Sequence, residues 1–278
     1  MVTNLSDTTE LQNGVRMPWL GLGVWKMTDN DVLQAAIRSA IETGYRHIDT
    51  AAAYYNEEGV GQAVRDSGLP REQLFITTKV WNTNQGYEPA LAAFEESRRK
   101  LGLEYLDLYL IHWPMPEVGK YLETWKALEK LYKDGLVRAI GVCNFHENHL
   151  EQLLNQSEIA PMVDQVEFHP RLTQEGLRKF CRKHSIQMEA WSPLMQGDLD
   201  HPTLNRIAGK YGKTSAQVVL RWDLQNGFVT IPKSVRAERI QENANVFDFE
   251  LSPEDMAELE AMNENKRYGP NPDVFNKA

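Results

Sequence analysis

Short apolar runs alternate along this chain with longer stretches whose apolar positions recur at helical spacing. Eight of the runs have the length and composition of buried strands. They cover residues 20–24, 45–49, 74–79, 106–112, 137–143, 162–167, 187–191 and 228–231. Between them, amphipathic stretches stop at glycines suited to helix C-termini, at Gly44, Gly102 and Gly135. This strand–helix rhythm predicts an α/β protein with a parallel sheet.

The N-terminal segment follows a different pattern. Residues 9–17 place Asn13-Gly14 between two short flanks, and both turn residues tolerate positive φ. We therefore predict an N-terminal β-hairpin that caps the domain. No linker interrupts the rhythm that follows, so we predict one domain over residues 1–278.

Two architectures fit this rhythm, a closed (β/α)8 TIM barrel and an open doubly wound sheet. An open dinucleotide-binding sheet is expected to carry Gly-x-Gly-x-x-Gly between its first strand and helix. The chain reads Gly21-Leu22-Gly23-Val24-Trp25-Lys26 at that place and lacks the third glycine. The barrel is therefore favoured.

Composition limits the classes of partner. The 278 residues are 42% hydrophobic and 25% charged, and the formal net charge of −9 argues against a nucleic-acid partner. Two cysteines are too few for a disulfide framework, and the first residues lack the pattern of a signal peptide. No apolar stretch approaches the roughly 20 residues that span a bilayer. We predict a cytoplasmic protein with no membrane or nucleic-acid partner.

The unusual chemistry falls at the ends of the predicted strands, where barrel active sites lie. Asp49, Tyr54, Lys79 and His112 each follow an apolar run. Taken singly, a tyrosine is more often a packing residue, an Asp–Lys pair a simple ion pair and a histidine a core group. Brought together, the four indicate a proton-donating centre for a polarised carbonyl group.

Three motifs carry a resemblance to a known family. They are Gly44-Tyr45-Arg46-His47-Ile48-Asp49-Thr50-Ala51-Ala52-Ala53-Tyr54, Leu108-Tyr109-Leu110-Ile111-His112-Trp113-Pro114 and Ile231-Pro232-Lys233-Ser234. Through them the chain resembles the aldo-keto reductases along its whole length. Its tail segment 267–270 is similar to that of bacterial glyoxal and diketogluconate reductases and of protozoan prostaglandin F synthases. The resemblance implies NADPH-dependent reduction of aldehydes or ketones on a (β/α)8 barrel, with small dicarbonyls or a prostaglandin endoperoxide as candidate substrates.

The resemblance also implies roles for the four residues. Tyr54 would donate the proton, and the Lys79 ammonium would lower the pKa of the phenol. Asp49 would hold Lys79 charged, while His112 would direct an N–H at the carbonyl oxygen. The family spacing selects Tyr54 over the adjacent Tyr55, which we expect at the surface.

For the cofactor, the resemblance implies that Asn144 and Gln165 bind the nicotinamide carboxamide and that Trp191 stacks on the ring. A basic island at the last strand, where barrels commonly bind phosphate, favours NADPH over NADH. The cofactor-binding residues so predicted are Cys143, Asn144, Gln165, Trp191, Ser192, Leu194, Lys233, Ser234, Val235, Arg239, Glu242 and Asn243.

Two positions depart from the family pattern. Cys143 stands where a serine usually precedes the asparagine, and a thiol is a weaker hydrogen-bonding group, so we expect a modest loss of NADPH affinity. A small buried apolar role is the alternative for this cysteine. Asp164 stands where asparagine is usual, and we expect it to alter the polar network beneath the nicotinamide.

The predicted substrate pocket is apolar and aromatic. Trp25, Trp81 and Trp113 form its walls beside His112, and a C-terminal loop bearing Phe275 folds over the top. The two histidines of His146-Glu147-Asn148-His149 are spaced for one helix face, but no third ligand is nearby, so we predict surface residues and no metal. We expect a monomer, as is common in the family.

Two other functions fit the same barrel. A Schiff-base lyase would use Lys79 as a nucleophile and need no nicotinamide. A non-catalytic nucleotide-binding regulator would bind NADPH without turnover. The basic island and Trp191 argue against the lyase, and the intact quartet argues against the regulator.

Overall fold

The computed structural model describes residues 2–277 of the chain. These residues form ten strands and ten α-helices. The strands are β1 (Thr8–Glu10), β2 (Arg16–Pro18), β3 (Leu22–Gly23), β4 (His47–Asp49), β5 (Phe75–Val80), β6 (Leu106–Ile111), β7 (Val137–Cys143), β8 (Val163–Glu167), β9 (Gln187–Trp191) and β10 (Val229–Thr230). The helices are α1 (Asn30–Thr43), α2 (Glu57–Asp66), α3 (Tyr87–Leu101), α4 (Tyr121–Lys133), α5 (Glu147–Gln156), α6 (Glu175–Lys183), α7 (Pro202–Tyr211), α8 (Ser215–Gln225), α9 (Ala237–Ala244) and α10 (Pro253–Glu260).

The last eight strands form one parallel sheet in sequence order from β3 to β10. Its first and last strands meet through a parallel bridge between Leu20 and Thr230, and the Gly21 amide donates to the Thr230 carbonyl over 3.0 Å. The sheet therefore curls onto itself as a (β/α)8 barrel. The predicted architecture is confirmed.

The two short strands outside the barrel form the predicted N-terminal hairpin. β1 and β2 pair antiparallel, with Thr9 opposite Met17, and Gly14 takes a φ of 83° in the turn. The Asn13 side chain donates to the Arg138 carbonyl over 2.9 Å, which ties the turn to the foot of β7. Within residues 2–277, no helix combines the length and the apolar character needed to cross a membrane.

Capping groups mark the ends of the helices before β4 and β6. Asp29 caps α1 by accepting from the Asp31 and Val32 amides, and the helix ends at Gly44 with a φ of 115°. Gly102 ends α3 in the same left-handed conformation. After these two helices the chain turns back into β4 and β6.

Strand alternation determines which side chains fill the barrel. Along β5, Thr78 donates outward to Glu57 on α2 over 2.7 Å, whereas Thr77 and Lys79 point inward. Lys79 is fully buried. The interior therefore carries a column of polar side chains beneath the carboxyl ends of the strands.

Residues 261–277, here called the tail, leave α10 and cross that same end of the barrel. The Lys277 carbonyl accepts from the Asn82 side chain over 2.6 Å, and the Glu117 amide donates to the Asn276 side chain over 3.0 Å. The Phe275 ring packs 4.3 Å from that of Trp113. The predicted C-terminal loop over the pocket is thus present.

Candidate active site

A cavity of about 1030 Å³ opens at the carboxyl ends of the strands. All of the residues predicted for catalysis, cofactor and substrate line it except Lys79 and Val235. Lys79 lies directly beneath the cavity, fully buried. The lining residues among those predicted are Trp25, Asp49, Tyr54, Trp81, His112, Trp113, Cys143, Asn144, Gln165, Trp191, Ser192, Leu194, Lys233, Ser234, Arg239, Glu242 and Asn243.

The centre of the cavity floor is an ion pair. Lys79 Nζ donates to Asp49 Oδ1 over 2.6 Å and to the Thr50 carbonyl over 2.9 Å. An ammonium has three hydrogens, so one remains for a further acceptor. The Tyr54 ring centre lies 5.2 Å from Nζ, on the cavity side. The arrangement places a buried positive charge beneath a phenol.

Lys79 is held in its charged form. Burial by itself lowers the pKa of the ammonium and is the largest single effect, but Asp49, followed by Tyr54 and Cys143, together outweigh it and the pKa of Lys79 is raised. Gln165 supports the pair from the other side by donating to Asp49 Oδ2 over 2.8 Å. The ion pair is therefore well satisfied despite its burial.

The Lys79 ammonium lowers the pKa of Tyr54 as expected, but the net shift of that pKa is upward. Burial raises the pKa of Tyr54 above its usual range, and the Lys79 ammonium opposes that rise without overcoming it. The phenol is partly accessible through the cavity, which moderates the effect of burial. Tyr54 consequently holds its proton at neutral pH, which is the form a proton donor requires.

His112 closes the catalytic side of the cavity. Its ring meets those of Tyr54 and Trp81 edge-on, with centres 5.7 and 5.1 Å away. Burial, aided by the nearby Lys79 charge, holds the pKa of His112 well below its usual value. The imidazole is therefore neutral and carries one N–H that can donate to a substrate oxygen.

Two interior residues escaped the sequence analysis. Glu189 Oε2 accepts from Gln165 over 2.8 Å, and Glu189 Oε1 lies 3.7 Å from His47 Nε2. Burial, and next the Asp49 charge, raise the pKa of Glu189 to about 8. Because Glu189 lies two positions before Trp191, alternation along β9 could have placed it inside the barrel.

His47 is the second of these residues. Its Nε2 lies 3.1 Å from the Thr77 hydroxyl, and burial lowers the pKa of His47 to about 3. Ligand-type atoms of His47, Asp49 and Glu189 lie within 4.8 Å of one another, a spacing that a metal ion could use. Lys79 already supplies a positive charge to Asp49 there, which opposes a second cation.

Asn144 is central to the opposite wall. Its amide nitrogen donates to the His112 carbonyl over 3.0 Å and to Cys143 Sγ over 3.2 Å. Its side-chain oxygen accepts from Trp191 Nε1 over 2.9 Å. Gln165 uses its amide hydrogens on two carboxylates, so only its oxygen, 3.7 Å from Cys143 Sγ, is available to a ligand.

The basic island lies at the far end of the cavity, beyond β10. Lys233, Ser234 and Arg239 line this end together with Thr214 at the start of α8. The Thr214 hydroxyl donates to the Glu242 carboxylate over 2.8 Å. Val235 is the exception among the predicted residues, because it is 42% exposed and does not line the cavity.

Asp164 does not lie beneath the nicotinamide side, so that expectation is wrong. Side chains along β8 point alternately into and out of the barrel. Because Gln165 points inward, its neighbour Asp164 points outward. Asp164 is fully buried outside the barrel, where it accepts weakly from the Phe145 amide over 3.4 Å. Burial raises the pKa of Asp164 well above its usual value.

The prediction that His146 and His149 are surface residues is wrong for His149. That ring is almost fully buried, stacks on His146 at 5.9 Å, and accepts from the His146 amide over 3.1 Å. Asp273 in the tail lies 2.9 Å from His146 Nδ1, and Arg267 donates to His146 Nε2 over 2.8 Å. The pair therefore anchors the tail.

The tryptophans predicted for the pocket walls lie at the cavity mouth. Trp81 and Trp113 flank His112, and Phe275 covers Trp113. Trp25 is 45% exposed and carries Lys26 Nζ 4.2 Å above its ring. Tyr55, 87% exposed, is on the surface as expected.

The cavity fits a phosphorylated dinucleotide. It is long enough to run from an aromatic wall at Trp191 to two cationic side chains at Lys233 and Arg239. A nicotinamide ring suits an indole face, its carboxamide suits the free Gln165 oxygen, and phosphate suits lysine and arginine. The residues present therefore fit a nicotinamide cofactor.

Comparisons with known proteins agree with this geometry. A family model described as the aldo/keto reductase family matches residues 19–264. Glyoxal reductase of Bacillus subtilis is 61% identical over 98% of this chain and 99% of its own length. The 9,11-endoperoxide prostaglandin H2 reductase of Trypanosoma cruzi is 57% identical over 95% and 94%. A mutant of Gox0644 in complex with NADPH superposes with a TM-score of 0.92, at 46% identity over 96% and 98%.

Proposed function

Because this chain belongs to the aldo/keto reductase family, we propose that it reduces small dicarbonyl compounds at a site formed by Asp49, Tyr54, Lys79 and His112. The chain is an NADPH-dependent oxidoreductase that acts on aldehydes and ketones. What remains to be assigned is the role of each residue and the substrate.

One observation carries the assignment of roles. Lys79 Nζ, held by Asp49 at 2.6 Å, lies under the ring of Tyr54 at 5.2 Å, and the neutral His112 ring stands beside that phenol at 5.7 Å. These groups would surround a carbonyl oxygen with two donors and a nearby positive charge. Such a site stabilises the negative charge that develops on the oxygen during reduction.

When bound, NADPH supplies the hydride that adds to the carbonyl carbon. The Tyr54 hydroxyl gives its proton to the oxygen as negative charge develops there. Lys79 offsets the charge left on the phenolate, and Asp49 keeps the ammonium in position. The His112 N–H holds the carbonyl oxygen in line with Tyr54 and carries no net charge.

The remaining predicted residues would hold the cofactor. Gln165 would accept from the carboxamide through its oxygen, and Asn144 would contact the opposite side of the carboxamide. Trp191 would pack on the nicotinamide ring. Lys233 and Arg239 would bind phosphate, with Ser234 beside them. Val235 is left out because its side chain faces solvent.

Two features support small dicarbonyls as substrates. The relative with 61% identity is named glyoxal reductase, and one from Escherichia coli with 47% identity is named methylglyoxal reductase DkgA. The pocket beside Tyr54 is walled by Trp25, Trp81 and Trp113 and is covered by Phe275. A flat, compact dicarbonyl fits between such walls, and one carbonyl remains after reduction, giving a hydroxycarbonyl product.

The test is NADPH consumption with methylglyoxal and with benzaldehyde, for wild type, Tyr54→Phe and Tyr55→Phe. We expect Tyr54→Phe to lower kcat by about 10²- to 10⁴-fold, because proton transfer is lost. Tyr55→Phe is the matched control, since it removes the neighbouring, exposed hydroxyl. Equal rates for the two variants would exclude Tyr54 as the donor. A preference for prostaglandin endoperoxide over both carbonyls would contradict the substrate proposed.

Several expectations stay predictions. They are a single domain over residues 1–278, a monomer, a cytoplasmic location, and the lack of a metal or nucleic-acid partner.

A further inference from the structure

We infer that Glu167 is a positioning residue that couples the tail to the nicotinamide side of the cavity. The inference rests on the proposed role of Trp191 as the wall behind the nicotinamide. Glu167 itself lines no part of the cavity and takes no part in the chemistry proposed above.

Glu167 ends β8 and is fully buried. Its Oε1 accepts from the Tyr268 amide over 2.6 Å and lies 3.1 Å from His169 Nε2. Its Oε2 accepts from the Gly269 amide over 3.1 Å and lies 3.9 Å from Arg267 Nη1. Two backbone amides thus donate to this one carboxylate, and the His169 ring and the Arg267 guanidinium lie beside it. The side chain therefore clamps two consecutive backbone amides of the tail.

The clamped backbone rests directly on Trp191. A methyl group at Gly269 would lie 2.3 Å from Trp191 Cη2 and 3.3 Å from Glu167 Oε2, so only glycine permits this approach. On its other edge the indole donates to Asn144 over 2.9 Å. The ring is thus held between the tail and Asn144, and its tilt depends on where Glu167 holds Gly269.

The rest of the tail has independent anchors. Asp273 contacts His146, and the Lys277 carbonyl accepts from Asn82. Loss of the Glu167 clamp should therefore loosen the segment over Trp191 while the tail stays attached. We expect weaker NADPH binding with little change in kcat once the cofactor is saturating, because Tyr54 lies in the turn after β4 and Lys79 lies on β5, whereas Glu167 ends β8.

The first experiment measures the NADPH dissociation constant and kcat for Glu167→Gln. A glutamine keeps the size but turns amide hydrogens toward the tail amides, so donors would face donors. We expect the dissociation constant to rise about tenfold, the loss of one charge-assisted bond, with kcat within about twofold. Glu175→Gln, an exposed glutamate on the adjacent helix α6, is the control and should change neither value.

The second experiment is a double-mutant cycle that separates the coupling from the fold. Gly269→Ala should weaken NADPH binding about tenfold in the wild-type background, because the new methyl displaces the indole. In a Trp191→Phe background the ring atoms it strikes are gone, and the same substitution should cost less than about twofold. Gly209→Ala, which meets no atom within 4 Å, is the matched control.

The outcomes are distinguishable. An equal penalty for Gly269→Ala in both backgrounds would overturn the coupling, as would wild-type binding by both Glu167→Gln and Gly269→Ala. If Trp191→Phe alone binds NADPH like wild type, the stacking role under the proposed function fails and the inference fails with it. If Trp191→Phe weakens binding while Gly269→Ala does not, the stacking role survives and the coupling alone is wrong.

Discussion

The floor and the roof of the cavity are built by different means. The floor consists of Asp49, Lys79, Gln165 and Glu189, which project inward from four strands and are joined by hydrogen bonds of 2.6 to 2.8 Å. The roof consists of loop and tail residues held by contacts between parts of the chain that are far apart in sequence, such as Glu167 with Gly269. The floor therefore holds buried charges on rigid strands, whereas the roof determines the shape of the cavity.

This difference has an energetic consequence. A buried ion pair is costly to break from one side, because the remaining charge has no partner. A roof contact removes apolar surface from water and fixes the orientation of a loop or tail side chain. Its loss therefore leaves the barrel intact. Floor substitutions should change chemistry and stability together, while roof substitutions should change binding alone.

The largest effect is expected for Lys79→Met. The substitution leaves Asp49 unpaired in the barrel, and we expect a loss of about 3–5 kcal/mol in the free energy of unfolding. NADPH-dependent turnover should fall by at least about 10²-fold because the charge beneath Tyr54 is gone. Urea unfolding and NADPH consumption measure the two effects.

A matched pair of variants sharpens this result. Lys79→Met combined with Asp49→Asn removes both charges and should regain much of the stability but none of the activity. Lys179→Met breaks an exposed ion pair with Glu175 and should have no measurable effect. Recovery of turnover in the double variant would contradict the role given to Lys79.

Next in size is the pH dependence of stability that Glu189 confers. Its pKa is raised from an ordinary value of 4.5 to about 8, so the folded protein keeps this proton where the unfolded chain loses it. The contribution is complete below pH 4.5 and is lost as the pH rises through 8. The resulting fall in the free energy of unfolding between pH 5 and pH 8 should be up to about 4 kcal/mol.

Glu189→Gln tests this contribution, because glutamine resembles the protonated acid and does not titrate. Unfolding free energies of the variant and wild type should agree near pH 5, and the variant should be the more stable at pH 8. The buried Asp164 and Asp223 titrate in the same direction but are present in both proteins. Parallel curves across this pH range would show that Glu189 is ionised throughout.

The floor was more accessible than the roof to reasoning from sequence, for a physical reason. Strands alternate with a period of two, and parallel strands end together, so Asp49, Lys79 and His112 could be placed at one edge. The same rule, applied to Asp164, would have turned it outward. The family pattern at this position does not give the direction of the side chain, which the alternation along β8 does.

The roof resisted prediction because its contacts are not local. His149 is buried by stacking on His146 and by the tail around Asp273, more than 100 residues later. The close approach of Gly269 to Trp191 is likewise invisible in either segment alone. Val235 sits in a motif whose neighbours line the cavity, yet its own side chain faces solvent.

A smaller effect is expected in the roof for Phe275→Ala. The ring covers Trp113 at 4.3 Å, and losing one aromatic contact should cost about 0.5–1.5 kcal/mol of binding to an aromatic aldehyde. KM for benzaldehyde should therefore rise several-fold, while kcat for methylglyoxal stays near that of wild type. Val274→Ala, at an exposed neighbouring position, is the control. An equal loss of kcat for both substrates would show that the roof supports the chemistry as well as the shape.

The smallest effect is expected at the border of floor and roof, for Cys143→Ser. The thiol lies 3.7 Å from the Gln165 oxygen, and a hydroxyl that closes this gap by a small shift of the side chains would be the stronger donor. A serine should hold Gln165 more firmly and lower the NADPH dissociation constant by about two- to fivefold, the worth of a fraction of one hydrogen bond. The hydroxyl also competes for the Gln165 oxygen that the carboxamide would use, so the gain depends on that oxygen accepting two bonds at once. Cys181→Ser, a buried thiol on α6 away from the cavity, should alter stability without altering NADPH affinity. An unchanged dissociation constant for Cys143→Ser would place this cysteine with the apolar packing of the barrel wall.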